Sequence, residues 1–310
     1  MPQQPIANVL LAELRARHRR DPRELDHDLP GLGLRRLSGG RNNWVFGWDD
    51  SPGDPVCLKL YRADRGDRAR AEYAALRHLA SHGHTFAPRP LWHAPDDSLP
   101  AVAMTLIPGR PIPTLAQPAQ LLPSIVEVQQ LLRASPLGPF AREARGGSAT
   151  SILNRIAAWS TQLEHDSRDP RSKDLQRLLA TWRTRADGSI LAEPAPPVLS
   201  RGDSNLDKWH YHDTGVYLLD WELTGHSDTA YDTAGLVEHP SARAIDDHTW
   251  AQYLPALGID TPLARRRFLA AQRTIALHRL AVLWTNRDTL SADTEYQAMR
   301  VRDLCTSDFT

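Results

Sequence analysis

The prevailing spacing of apolar residues shifts at Pro108-Gly109, from mostly strand-length runs to a mostly helical period, and that shift limits the folds open to this chain. Before it, apolar residues come in short strand-length runs: 34–38, Trp44-Val45-Phe46-Gly47-Trp48 and Val56-Cys57-Leu58-Lys59-Leu60, with shorter ones at 91–93 and 102–107. Gly39-Gly40 and the turn-forming stretch 49–55 separate the first three, the pattern of an antiparallel hairpin extended by a third strand. Helical spacing predicts a short helix over 8–19 and another over 68–80, the latter with Tyr73, Leu76 and Leu79 on one face. Beyond Pro108-Gly109 the helical period dominates and predicts helices over 119–134, 151–164, 173–185, 250–257 and 263–286. Only Val198-Leu199 and Val216-Tyr217-Leu218-Leu219 interrupt it as strand-like runs. The expected fold class is α+β: a small antiparallel β-rich lobe over 1–107, including its N-terminal helix, and a larger α-helical lobe over 108–310, joined at one hinge.

A chain of 310 residues is long enough for two such lobes. Its 37 acidic residues balance its 37 basic ones, which removes the global field that nucleic acid or an anionic membrane surface would select. No apolar stretch approaches the roughly 20 residues needed to span a bilayer. The N-terminal Met1-Pro2-Gln3-Gln4-Pro5-Ile6 lacks the basic-then-apolar order of a signal peptide. Cys57 and Cys305, near opposite ends, make neither a disulfide framework nor a zinc cluster. The expectation is a soluble cytoplasmic protein with no nucleic-acid or membrane partner, and the sequence identifies no protein partner.

Lysine is the scarce cation. Only Lys59, Lys173 and Lys208 occur among the 37 basic residues, so a retained lysine is a candidate for work that needs a compact ammonium. Lys59 lies in a strand-like apolar run, and Glu72 follows thirteen residues later on the predicted helix 68–80. A carboxylate there can pin the ammonium and aim it at phosphate oxygens; the plainer alternative is a surface pair with Arg68 or Arg77. Upstream, Ser38-Gly39-Gly40-Arg41-Asn42-Asn43 offers backbone N–H groups a close approach to a phosphate, or else simply turns a hairpin. Downstream, Asp203 follows the run Val198-Leu199, and Asp220 follows Leu218-Leu219. Two strand-end carboxylates can meet, one accepting a hydroxyl proton and the other holding Mg²⁺, or each can close a local turn.

Glycine turn, strand lysine, helix glutamate, hinge and two strand-end aspartates follow the order of a protein-kinase-type phosphoryl-transfer site. The segments Arg201-Gly202-Asp203, Asp220-Trp221-Glu222, 225–232 and Val102–Pro113 resemble the aminoglycoside phosphotransferase and choline kinase family over roughly 34–290. The resemblance implies a protein-kinase-like bilobal fold that moves the γ-phosphate of ATP or GTP to the hydroxyl of a small molecule, an antibiotic or a metabolite. It implies Asp203 as the catalytic aspartate, Asp220 as the Mg²⁺ ligand and Lys59 with Glu72 on the α- and β-phosphates. Ser38, Gly39, Gly40 and Asn43 would line the phosphate loop, and main chain around Met104 and Leu106 would meet the base.

One departure matters. The family places asparagine five residues after the catalytic aspartate as a second metal ligand, whereas this chain has Lys208 there and Asn205 two residues after Asp203. An ammonium has donors only and cannot ligate a metal. Either the Lys208 charge replaces one metal while Asn205 touches the γ-phosphate or the substrate, or the metal site is compromised and the protein is a nucleotide-binding pseudokinase with a regulatory or scaffold role. Arg265, Arg266, Arg267, Arg273, Arg279 and Arg287 crowd the C-terminal third, which favours a neutral or weakly cationic acceptor over a polycationic one. Trp250, Trp284 and His278 line a pocket there or belong to the core.

Overall fold

A computed structural model describes residues 3–37, 43–49, 55–62, 66–140, 143–144, 149–165 and 170–306. Backbone packing divides the chain into two compact units, Met1–Pro111 with Lys208–Thr224, and Ile112–Asp207 with Gly225–Thr310.

The first unit is built on five antiparallel strands, β1 (Leu34–Arg36), β2 (Trp44–Trp48), β3 (Val56–Leu60), β4 (Pro90–Ala94) and β5 (Ala101–Thr105). Their order is β1-β2-β3-β5-β4. Helix α1 (Gln3–Arg20) supplies Ala7, Leu10, Leu11 and Leu14 to a core shared with Phe46, Trp48, Val56, Leu58 and Leu60. Strand alternation sends Val56, Leu58 and Leu60 into that core and turns Cys57 and Lys59 to the opposite face of the sheet. Helix α2 (Gly66–Ser81) packs on β4 and β5 and carries Glu72.

A smaller sheet, β6 (Arg110–Pro111), β8 (Trp209–His212) and β9 (Gly215–Leu218), completes the unit. At Pro108-Gly109, where the sequence suggests a hinge, Gly109 has φ +100, and a Cβ there would collide with the backbone carbonyl of Tyr211 on β8. Residues 208–224, expected in the larger lobe, pack instead with the N-terminal unit. β8 pairs with β6, and the Leu218 N–H donates to the Phe86 carbonyl at 2.7 Å.

In the second unit a two-stranded ladder joins β7 (Val198–Ser200) to β10 (Gly225–Ser227). Around it lie α3 (Leu122–Ala134), α4 (Ala149–His165), α5 (Pro170–Thr184), α6 (Asp187–Ala192), α7 (Thr229–Val237), α8 (Asp247–Tyr253), α9 (Pro262–Trp284) and α10 (Ser291–Thr306). Helix α9 is central, packing on α4, α6, α7 and α10, and buries residues around most of its circumference. Thr261 caps it by accepting from the Ala264 N–H, and Pro262 sits in its first turn, where no N–H is needed. The buried charged residue of α9, Arg273, is held in a two-point pair by Asp187, with both contacts at 2.7 Å. Trp250 and Trp284 are core residues. Among the described residues no helix is long and apolar enough to cross a membrane.

Candidate active site

Within the first unit, Lys59 is the hub of a buried ionic cluster. Its ammonium lies 2.7 Å from Glu72 Oε2, 2.6 Å from Asp220 Oδ1 and 3.1 Å from Glu222 Oε2. Lys59 is 6% exposed and Glu72 only 1%, which excludes a solvated surface pair for Glu72. Arg68, one of the two surface partners expected for Glu72, instead reaches Glu222 Oε1 at 2.9 Å. Glu72 is fixed further by the Trp221 N–H, which donates to its Oε1 at 3.1 Å, and by the Tyr61 hydroxyl, which donates to its Oε2. The buried Trp221 ring anchors the stretch after β9, its Nε1 donating to the Leu218 carbonyl at 2.8 Å.

Asp220 follows β9 in the left-handed region, with φ +67, a conformation uncommon for a residue with a Cβ. Its carboxylate is claimed on both sides: Lys59 holds Oδ1, and Lys208 holds Oδ2 at 2.9 Å. Burial opposes ionisation of Asp220, but the two ammoniums outweigh it and keep the carboxyl well below the usual carboxylate range. Burial likewise opposes the Lys59 charge, and Asp220 and Glu72 override it, holding the ammonium well above its ordinary value. Glu72 is pushed upward because burial outweighs the attraction of Lys59.

Asn43 joins the cluster by donating from Nδ2 to Glu222 Oε2 at 2.8 Å, while its Oδ1 is buried without a partner. Ser38, Gly39 and Gly40 lie outside the described residues. Met104 is in β5, opposite Cys57. The Thr105 and Leu106 N–H groups already donate to the Arg89 and Pro55 carbonyls, at 2.9 and 2.8 Å. Those two donors are therefore already committed within the sheet edge.

Asp203 and Asn205 belong to the second unit, in the loop after β7. Asp203 Oδ1 accepts from the Asn205 N–H at 3.0 Å, and Asn205 Oδ1 accepts from the Asp207 N–H at 2.9 Å. Both residues thus close local turns, the plainer role open to them, and each keeps a second polar side-chain atom beyond the turn. The buried Arg201 lies 3.6 Å from Asp203 Oδ2. The loop is tied down at both ends: Ser200 Oγ donates to Asp232 and accepts from the Gly202 N–H, and the Leu206 N–H donates to Ser241 Oγ. Ser241 in turn donates from its backbone to His239 Nδ1.

Glu222 and Tyr61 are the cluster members that sequence reasoning did not single out, and Arg68 was expected only as a surface partner of Glu72. Glu222 had a signal, an acid two residues after Asp220; Tyr61 had one too, standing two residues after Lys59 and therefore on the same side of the chain.

A five-stranded antiparallel sheet whose third strand carries a lysine clasped by a helix glutamate, followed in sequence by a helical unit with a strand-end aspartate, defines a protein-kinase-like fold. Residues 33–269, more than half of the chain, match the model of the phosphotransferase enzyme family, and the chain belongs to that family. Solved structures share the fold. Aminoglycoside phosphotransferase APH(4)-Ia is 17% identical, with a TM-score of 0.63 over 88% of this chain and 93% of that one. A choline/ethanolamine kinase family protein from Mesorhizobium loti is 18% identical, with a TM-score of 0.60 over 96% and 95%. Spectinomycin phosphotransferase APH(9)-Ia, solved with ADP and spectinomycin, is 14% identical, with a TM-score of 0.59 over 87% and 88%. No curated protein matches the sequence.

Proposed function

We propose that this protein is an O-phosphotransferase that moves the γ-phosphate of ATP or GTP to a hydroxyl of a small molecule. The observation that carries the reading is Lys59, a buried ammonium held at fixed distances by Glu72 and Asp220. Burying a charge costs several kcal/mol unless it is paired, and a pair that could be replaced by apolar side chains of similar volume is weak evidence for stability alone. Family membership adds the reaction type, and solved relatives carry AMP-PNP or ADP.

In this reading Glu72 and Tyr61 fix the direction of the Lys59 ammonium, which neutralises charge on the nucleotide phosphates. Asp203 orients the acceptor hydroxyl and takes its proton as the oxygen–phosphorus bond forms and the bond to the β-phosphate oxygen breaks, releasing the nucleoside diphosphate. Asn205 directs its amide to the γ-phosphate or to the acceptor. The donor set fits a hard divalent cation: carboxylate oxygens of Glu72, Asp220 and Glu222 lie within 4.8 Å of one another, and Asp220 is ionised. The fit is to one ion on Asp220, since position 208 supplies an ammonium where a second oxygen ligand would be needed. Magnesium bound there would supply charge neutralisation to the phosphates; Lys208 supplies the remaining positive charge.

A second reading has one observation in its favour, the Lys208–Asp220 ion pair, which occupies the ligand a metal would use. It makes the protein a nucleotide-binding pseudokinase that regulates or scaffolds a partner. Screening hydroxyl compounds for stimulated release of ADP or GDP separates the two. Phosphotransfer predicts stimulation that Asp203→Ala reduces by at least about a thousandfold, with the fold intact by circular dichroism. Normal turnover in that variant would remove Asp203 from the mechanism. Nucleotide-dependent stabilisation without turnover across the library would leave the second reading standing.

A further inference from the structure

The C-terminal end of α2 gathers histidines that phosphoryl transfer does not use. His78 and His82 stand four residues apart, which places both on one face of the helix. Their ring centroids lie 4.4 Å apart, with the planes tilted by 51°. His82 is exposed and His78 half-buried, so the pair borders solvent. Arg77, in the same turn, is exposed and lies about 100° further round the helix.

The hydrogen bonds fix which nitrogen of the neutral His82 ring carries the proton. Nδ1 lies 2.8 Å from the His78 carbonyl, an oxygen that only accepts, so Nδ1 donates. Ser81 Oγ gives its own proton to that carbonyl at 2.7 Å and lies 3.3 Å from Nδ1, to which it offers lone pairs. His82 Nε2 therefore keeps its lone pair. A histidine that ligates a metal characteristically donates its other ring nitrogen to a carbonyl, which fixes the ring and raises the basicity of the ligating atom. Capping of the helix by His82 alone accounts for the Nδ1 bond, but not for a second imidazole set against the ring.

The backbone around the pair is equally fixed. The Gly83 N–H donates to the Ala80 carbonyl and the His84 N–H to the Leu79 carbonyl, each at 3.1 Å, which closes the helix end. Gly83 permits the reversal with φ +76. The negative end of the helix dipole lies here and favours a cation.

We propose that His78 and His82 chelate a divalent transition-metal ion of the zinc class, Zn²⁺, Ni²⁺ or Cu²⁺, with water completing the coordination, and that the ion braces the end of α2. Paired histidines at this spacing on one helix face are a zinc-binding arrangement. Leu79 stands where a hydrolytic zinc helix carries its glutamate base, so the ion has a structural role and not a hydrolytic one. Imidazole nitrogens suit these ions, whereas Mg²⁺ takes oxygen ligands, so the site is chemically distinct from the one on Asp220. It is also remote from the Lys59 cluster along the helix: His82 follows Glu72 by ten residues, about 15 Å at 1.5 Å per residue.

The test titrates Zn²⁺ calorimetrically into the full-length protein free of any histidine tag, with Mg²⁺ present throughout to occupy carboxylate sites. One equivalent should bind saturably. His82→Gln and His78→Gln should each weaken it by at least about tenfold, and His248→Gln, at an exposed histidine of α8, should leave it unchanged. No saturable binding, or equal affinity in wild type and His82→Gln, would overturn the proposal. If His78→Gln fails to fold, the exposed His82 position and Cu²⁺ electron paramagnetic resonance decide it: nitrogen hyperfine structure from two imidazoles in the wild type, falling to one in His82→Gln. A wild-type spectrum with no imidazole nitrogens counts against the site. Zn²⁺ should also slow amide exchange over 79–84 at least about threefold in the wild type and not in His82→Gln. Binding without that protection removes the bracing role and leaves the chelate.

Discussion

At position 208 a single side chain sets how many cations the carboxylate of Asp220 can accept. Lys59 lies 2.6 Å from one of its oxygens and Lys208 lies 2.9 Å from the other, so two ammoniums share one aspartate. Replacing Lys208 with asparagine removes a fixed charge and adds a carbonyl oxygen that can ligate a metal. Lys208→Asn is therefore expected to raise the Mn²⁺ bound in the presence of a non-hydrolysable nucleotide from one ion to two, read by electron paramagnetic resonance, and to lower turnover at fixed Mg²⁺. Two ions bound by the wild type would show that the lysine replaces nothing. Much of this was legible beforehand: with three lysines in the chain, Lys59 and Lys208 drew notice, and thirteen residues from a strand to a helix suited Glu72. Glu222 and the Tyr61 hydroxyl were not, because their roles depend on a fold that brings residue 222 back to residue 59. Arg68 shows the same limit. Its spacing of four from Glu72 predicts a helical pair, but tertiary geometry sends it to Glu222.

Elements follow the residue pattern where their own side chains hold the signal. The five strands of the main sheet fall on the apolar runs, with β1 ending at Arg36 and leaving Leu37 outside it. Helices α3, α4, α5 and α9 fall within a few residues of the predicted spans, and α8 starts three residues earlier than expected. Helices α6, α7 and α10 were missed. The six residues of α6 are too few for a period to show, and α10 interleaves charge with its buried Thr294, Gln297, Val301, Leu304 and Cys305, two of them polar. Strand β8 pairs along its whole length with the nearby β9, whereas short β6 owes its existence to pairing with β8 across about a hundred residues, which no local period reports. Gly109 makes that pairing possible. Gly109→Ala should destabilise the protein by about 2–4 kcal/mol, from the strained positive φ together with the clash against the Tyr211 carbonyl. Denaturant midpoints would measure it. Because the obstacle is backbone, Tyr211→Ala in the same chain should give no rescue; full rescue would mean that the side chain, not the carbonyl, was in the way.

Across the whole molecule the expected division at 107/108 gives way to one in which Lys208–Thr224 belongs with the N-terminal unit. The two strand-end aspartates therefore sit in different units, and no reading of the sequence as two consecutive lobes could have separated them. The same scale carries a pH dependence, since burial keeps several histidines neutral. His239 is held at about 3 and His278 at about 4, each by burial first and then by neighbouring arginines, against an ordinary value of 6.5. A depressed histidine favours the folded state above the unfolded pKa, and the advantage is lost as pH falls, because only the unfolded chain takes up the proton. Stability should therefore decline from about pH 6.5 towards pH 4, with a ceiling of about 1.4 kcal/mol per pH unit for each histidine, reduced by the solvent exposure both retain. Glu72 and Asp232, whose carboxyls burial pushes upward, work in the opposite direction as they take up protons in the folded state first. Chemical denaturation at pH 7 and pH 5 resolves the balance: the wild type should be less stable at pH 5. His278→Gln, which keeps an acceptor for Arg155 but cannot be protonated, should narrow the gap between the two pH values. A gap unchanged by that substitution would assign the acid sensitivity to groups other than His278.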